Sequence, residues 1–241
     1  MTVLRFLPVL VLSALVQGCT QSGSSNQAAR PAGDAVAYDE PDRAPASSRV
    51  VIAFLGDSLT AGLGLLSSRA YPSLIGDMFL AEGYAEVEIL NGGISGDTTA
   101  GAARRVDQLL APDVRILVVA LGGNDALRGL TAEQTRSNLT TIIETAFDSG
   151  AEVLLAGMQA PTNLGQDYQA AFREVFFGLA RDYGRRISFV SFLLEGVAAQ
   201  PHLNQADGIH PNEQGARVIA EHLYPPLRDM VDALPSAAFV P

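Results

Sequence analysis

Val50-Val51-Ile52-Ala53-Phe54-Leu55 runs directly into Gly56-Asp57-Ser58-Leu59-Thr60. Six consecutive apolar residues without alternation describe a strand buried on both faces, the pattern of a parallel sheet covered by helices. The glycine then allows a sharp bend, and the polar residues after it suit the start of a helix. The same order repeats downstream. Strand-like runs at 87–90, 114–121, 152–157 and 187–190 alternate with helix-length amphipathic segments at 70–82, 98–110, 132–149, 167–183 and 212–234. Thr131-Ala132-Glu133-Gln134 has the form of a capping box ahead of the third of these helices. Five strands joined by right-handed crossovers predict an α/β fold: a three-layer, doubly wound, five-stranded parallel sheet of the flavodoxin-like type. No internal repeat is visible, and no second domain fits into the remaining length.

The flanks have a different character. Arg5 precedes an apolar stretch, 6–16, of the length of a signal-peptide core and too short to span a bilayer. It leads through Leu15-Val16-Gln17-Gly18 to Cys19, the only cysteine. This resembles the lipobox of bacterial lipoproteins, in which the cysteine is lipidated, although Gln17 stands where a small residue is usual. An ordinary signal peptide cleaved nearby is the alternative. Thr20 after the cysteine implies, by resemblance to the bacterial sorting pattern, the outer membrane. Residues 21–48 are rich in Ser, Ala, Pro, Gly and Asp and cannot bury enough apolar surface to fold. The expected organisation is therefore a lipoprotein-type signal at 1–18, a tether at 19–48, one domain at 49–234 and a tail at 235–241. The expected partners are a membrane, through the lipid anchor, and a small substrate, with the protein monomeric and extracytoplasmic.

With a formal charge of −10, the chain lacks the clustered basic residues that nucleic acid demands. All sixteen basic residues are Arg, which excludes lysine chemistry. A single cysteine excludes an intrachain disulfide.

Motifs fall where a doubly wound sheet places ligands, beyond the carboxyl ends of its strands. They are Gly56-Asp57-Ser58 after the first strand, Asn91 to Asp97 after the second, and Gly122-Gly123-Asn124-Asp125 after the third. Far downstream stands Asp207-Gly208-Ile209-His210. A hydroxyl is a weak nucleophile until a base takes its proton, and an imidazole serves best when a carboxylate fixes its tautomer. Of three histidines, only His210 has a carboxylate at a useful local spacing, and Asp207 can curl back to its Nδ1. Each fragment also has a plainer reading: Ser58 as a helix N-cap, Asp207 as a turn cap, Gly96 as a turn former and Asn124 as an Asx cap. Pro211 is expected to open the last helix. Ser58 N–H, Gly96 N–H and the Asn124 amide are candidate oxyanion donors, with Gly92 or Gly93 as weaker contenders for the second. Asp57, Asp97 and Asp125 lack further ligands at metal spacing, so neither metal nor organic cofactor is expected.

Together these blocks resemble the SGNH, or GDSL, hydrolase superfamily. Gly56 to Thr60 resembles its first block with Ser58 as nucleophile, Ile94 to Thr98 the second with Gly96, and Leu121 to Asp125 the third with Asn124. Asp207 to Pro211 resembles the fifth, with Asp207 and His210 as acid and base. The first block departs from the Gly-x-Ser-x-Gly elbow of larger α/β-hydrolases, since Thr60 replaces the second glycine. Gly122 to Gly129 is similar to the branch of arylesterases, acyl-CoA thioesterases and lysophospholipases, in which the stretch after the asparagine forms a mobile lip. The resemblance implies a serine esterase acting through an acyl-serine on short- to medium-chain acyl or aryl esters, with thioesters and lysophospholipids next. Leu63, Ala126, Leu127, Leu130 and Pro161 are the expected acyl contacts. A carbohydrate O-deacetylase is the alternative, although a chain without Trp lacks the usual sugar platform. A lipoprotein that kept the fold and lost turnover is the remote one.

Overall fold

The computed structural model describes residues 49–235. The expected signal peptide, Cys19, the tether and all but the first residue of the C-terminal tail lie outside them. Five strands form one sheet: β1 (Val50–Gly56), β2 (Val87–Gly93), β3 (Val114–Ala120), β4 (Glu152–Ala156) and β5 (Ile187–Val190). Their order is β2-β1-β3-β4-β5, and every pair is parallel. The order reverses at β1, the switch point of a doubly wound sheet. Register brings three strand ends level, with Gly56 opposite both Gly93 and Ala120. The loops that follow therefore leave side by side.

Among the described residues the α-helices are, in chain order, α1 (Ser58–Ala61), α2 (Tyr71–Ala81), α3 (Thr99–Ala103), α4 (Val106–Leu109), α5 (Gly123–Leu127), α6 (Ala132–Asp148), α7 (Gln166–Tyr183) and α8 (Glu213–Ala233). Helix α2 packs on α8, and α6 packs against α3 and α7. Between these groups β1 and β3 are almost wholly inaccessible, from Val51 to Leu55 and from Ile116 to Ala120. Each such Val, Leu, Ile or Phe contributes about 1.5–3 kcal/mol through burial, so the central strands are the firmest part of the fold. The capping box on α6 forms as expected: Gln134 N–H donates to Thr131 Oγ1 (3.2 Å) and Thr131 N–H to Gln134 Oε1 (3.1 Å). Among the described residues no helix is long and apolar enough to cross a membrane.

Two expectations are corrected. The segment 98–110 is not one helix but α3 and α4, separated by Arg104 and Arg105. Arg105 is drawn inward, its Nε donating to Asp97 Oδ2 at 2.8 Å and its Nη2 to the Gly56 carbonyl at 3.1 Å. A half-buried carboxylate and a strand-end carbonyl outweigh one helical turn, because hydrogen bonds to charged groups are worth about 1.5–3 kcal/mol. Likewise Pro211 does not open the last helix. Asn212 caps α8 through Oδ1, which accepts from the N–H groups of Gln214 (3.0 Å) and Gly215 (3.1 Å), and Pro211 lies before it, bridged to Asn204.

Candidate active site

The first question is whether Ser58 caps a helix. It does not. Asp57 is the N-cap of α1, its Oδ1 accepting from Leu59 N–H at 3.0 Å, and Ser58 is the first helical residue. Its hydroxyl is left for another partner, His210 Nε2, at 2.9 Å. The helix turn is fixed from behind by Thr60, whose Oγ1 shares a 2.7 Å hydrogen bond with the hydroxyl of buried Tyr71.

His210 comes from a hairpin-like loop at 204–211. Gln205 N–H donates to the His210 carbonyl at 2.7 Å, and Gly208 N–H to the Gln205 carbonyl at 2.9 Å. Buried Asn204 anchors the base of the loop through Nδ2, which donates to the carbonyls of Val197 and Gln200, both at 2.8 Å. Gln205 Nε2 reaches across to the carbonyl of Leu63, beyond α1, at 2.7 Å. That bond joins the serine and histidine segments, which lie 142 residues apart.

Asp207 satisfies both of its sequence readings with one oxygen each. Oδ1 caps the turn, accepting from the N–H groups of Ile209 (2.9 Å) and His210 (3.0 Å). Oδ2 stands 2.6 Å from His210 Nδ1. A carboxylate only accepts, so Nδ1 carries the proton and Nε2 is left to accept from the Ser58 hydroxyl. The His210 N–H, the imidazole and the Ile209 N–H together pull the Asp207 carboxyl down to about 2.

The oxyanion candidates converge from the neighbouring loops. Ile94 N–H donates to the Gly56 carbonyl at 3.1 Å, which lays the loop after β2 against the serine turn. A β-turn follows, closed by Asp97 N–H to the Ile94 carbonyl at 3.0 Å, with Gly96 at φ +80°; that conformation favours glycine. Neither Ser58 N–H nor Gly96 N–H donates to any described residue. Asn124, in the first turn of α5, donates from Nδ2 to Asp57 Oδ2 at 3.1 Å, which leaves its second amide hydrogen free.

Asp125 points away from these groups. It is fully buried and accepts from Thr99 N–H at 2.9 Å, from the Thr99 hydroxyl and from the Thr135 hydroxyl at 3.5 Å. It therefore ties the loop after β3 to the start of α3. Asp97 is occupied by Arg105. Among the described residues no three carboxylates, histidines or cysteines gather as a metal site.

The expected acyl contacts separate. Leu63 lines the crevice beside Ser58 with Leu59, Gly62, Leu65, His210 and Pro211. Leu127 is exposed at the end of α5. Ala126 is a correction: it is fully buried in the core and presents nothing to a ligand. Leu130 is half-buried, its carbonyl held by the Tyr168 hydroxyl at 2.6 Å. Pro161 precedes a short 3₁₀ turn beyond β4 and is not among the crevice residues. Sequence reading missed four residues that hold the site: Asp57 as the partner of Asn124, Arg105, Gln205, and Arg128, whose Nη2 donates to the Gly96 carbonyl at 2.8 Å. Each has a partner 32 to 142 residues away, a separation with no local signature.

Residues 54–218 match the family described as GDSL-like Lipase/Acylhydrolase. The chain belongs to the GDSL-like lipase/acylhydrolase family. It is 39% identical over 178 residues to the esterase TesA of Pseudomonas aeruginosa, covering 73% of this chain and 87% of that protein. To the thioesterase 1/protease 1/lysophospholipase L1 of Escherichia coli strain K12 it is 35% identical over 191 residues, covering 79% and 88%. A crystal structure of TesA superimposes with a TM-score of 0.70 at 37% identity, covering 76% of this chain and 99% of that one. The sheet order described above is the fold of this GDSL family, and the chain is a carboxylic ester hydrolase.

Proposed function

We propose that the chain is an extracytoplasmic serine esterase for short- to medium-chain acyl and aryl esters. One observation carries this reading: the unbroken relay from Ser58 Oγ through His210 to Asp207, at 2.9 and 2.6 Å. In the mechanism, Ser58 Oγ attacks the ester carbonyl as its proton passes to His210 Nε2. Asp207 holds the imidazole and stabilises the imidazolium. The Ser58 N–H, Gly96 N–H and the free Asn124 N–H receive the oxyanion. His210 then protonates the leaving alcohol; a water deprotonated by the same Nε2 attacks the acyl carbon, and the imidazolium returns that proton to Ser58 Oγ as the acyl–oxygen bond breaks and the acid departs. Each oxyanion donor is expected to supply about 10²–10³ in rate.

The rim supports an apolar substrate. Leu63, Ile94, Leu127 and Ile209 are 46 to 57% exposed. Leu63 lines the crevice, Ile209 adjoins His210, and Ile94 and Leu127 sit on the two loops that Arg128 joins. The crevice itself is shallow, with an accessible volume of about 10 Å³, room for about one water. An acyl chain therefore lies along an open apolar rim, which suits chains of short to medium length. Aryl esters come first, with thioesters and lysophospholipids behind them. The aliphatic rim offers acetylated sugars no stacking surface. Anchoring through lipidated Cys19 belongs to the same proposal, and Cys19→Ala is expected to move the protein into the soluble fraction.

Ser58→Ala is expected to lose about 10⁴–10⁶ in kcat and all labelling by a serine-directed phosphonate. Hydrolysis surviving in that variant would end the mechanism. A chain-length panel of aryl esters, acyl-thioesters and acetylated sugars tests the substrate, and activity confined to the sugars would overturn it.

A further inference from the structure

The mechanism leaves Asp57 without a task, yet it is the least ordinary ionisable group in the site. Its side chain is 2% exposed and bears no contact to a cation. Oδ1 is used by the cap of α1, and Oδ2 receives Asn124 Nδ2. An asparagine amide has one end that donates and one that accepts, and a half-turn exchanges them. A neighbour that can only accept holds the donor end towards itself, and one that donates holds the acceptor end. An ionised carboxylate is a neighbour of the first kind, and Asp57 directly precedes the nucleophile.

We propose that Asp57 is a positioning residue for oxyanion stabilisation: as a carboxylate it keeps the donor end of the Asn124 amide on the side of Ser58, and on taking up a proton it releases that amide. A protonated Asp57 offers a hydroxyl that the Asn124 carbonyl oxygen can accept, so the amide turns and the donor is lost. The titratable and charged groups that face Asp57 are His210 from the 204–211 loop, Asp97 before α3 with Arg105 paired to it, and the neutral phenol of Tyr71 from α2. Burial, only partly opposed by the Leu59 N–H and the Asn124 amide, pushes the Asp57 carboxyl up to about 6. The release therefore falls in mildly acidic solution.

This rests on Ser58 as nucleophile, and the test separates the two. Asp57→Asn is expected to lower kcat by about 10–100-fold with KM within about threefold, since the lost stabilisation belongs to the transition state. In an Asn124→Ala background the same change is expected to cost less than about threefold, because its route to the reaction is gone. The acid limb of kcat/KM in the wild type steepens beyond first order because protonation of Asp57 adds to the loss of the free base. In Asn124→Ala it returns to first order, a measurement that needs no Asp57 variant to fold. Costs that multiply in the double variant, or a limb of unchanged steepness in Asn124→Ala, would overturn the proposal. Full activity in Ser58→Ala would instead remove the reading on which it stands.

Discussion

Two aspartates each stand within three residues of a reacting group, in regions built in opposite ways. Asp57 lies in the turn after β1, packed beneath α1 among strand ends that are closed to solvent. Asp207 lies in the 204–211 loop, its side chain 44% exposed. Burial dominates at Asp57 and lifts its carboxyl to about 6, whereas two N–H groups and an imidazole draw Asp207 down to about 2. In the roles proposed, one residue type is given two tasks. A carboxylate that must stay charged to hold an imidazolium is left partly in water and surrounded by donors. One that must only discriminate between the two ends of an amide can be buried, at the expense of its own ionisation.

The largest effect tests the exposed partner. Asp207→Asn keeps the size of the side chain but offers an amide to Nδ1, so Nε2 is left protonated and unable to take the serine proton. A loss of about 10⁴ in kcat is expected, with little change in KM. A loss below about tenfold would mean that the loop alone orients His210, and the comparison would lose its functional half.

The next effect is on stability, and it carries a sign. Asp57 titrates near 3.8 unfolded and about 6 folded. Between those values the folded protein holds a proton that the unfolded chain has released, so stability falls as pH rises through this window. The full penalty, on the order of 3 kcal/mol at about 1.36 kcal/mol per tenfold change in acidity, is present above pH ~6. Asp207 behaves in the opposite sense: its contribution is present above about pH 4 and lost as pH falls towards 2. Asp57→Asn, which can still cap α1, is expected to melt above the wild type at pH 7 by about 2–3 kcal/mol, with the advantage vanishing near pH 4. Slower turnover together with a firmer fold is the trade expected when a strained site is relaxed. An advantage independent of pH would show that the Asp57 charge carries no penalty.

The two regions also differ in how far they could be read from sequence. The run 50–55 announces a central strand because burial on both faces leaves no polar position, and Gly56-Asp57-Ser58 can then only lie at a strand end. The local pairing of Asp207 with His210 is legible for a similar reason: it spans three residues. What was hidden is everything that joins one segment to another. Arg105 reads as one more polar position on an amphipathic helix until Asp97 and Gly56 are seen beside it. Ala126 reads as part of a surface lip until α5 turns it into the core. Burial and long-range partners are properties of the packed chain, and no periodicity encodes them.

The smallest effect bears on that joining. Gln205 Nε2 donates to the Leu63 carbonyl at 2.7 Å and to the Pro211 carbonyl at 2.9 Å, so one side chain spans from the serine side of the crevice to the histidine side. Gln205→Ala removes both bonds, but Leu63 is exposed and water can take its carbonyl. A stability loss of about 1–2 kcal/mol is expected, the net worth of two neutral hydrogen bonds. The backbone bond from Gln205 N–H to the His210 carbonyl remains, so the hairpin keeps its form while its position against α1 loosens. Activity is expected to fall less than about tenfold. Hydrogen exchange is expected to quicken at 205–210 and to stay unchanged in β1 and β3, whose burial does not depend on the loop. Faster exchange in both regions would mean that the buried turn and the exposed loop are one cooperative unit. Confinement to the loop would keep them as two, a rigid nucleophile and an adjustable base.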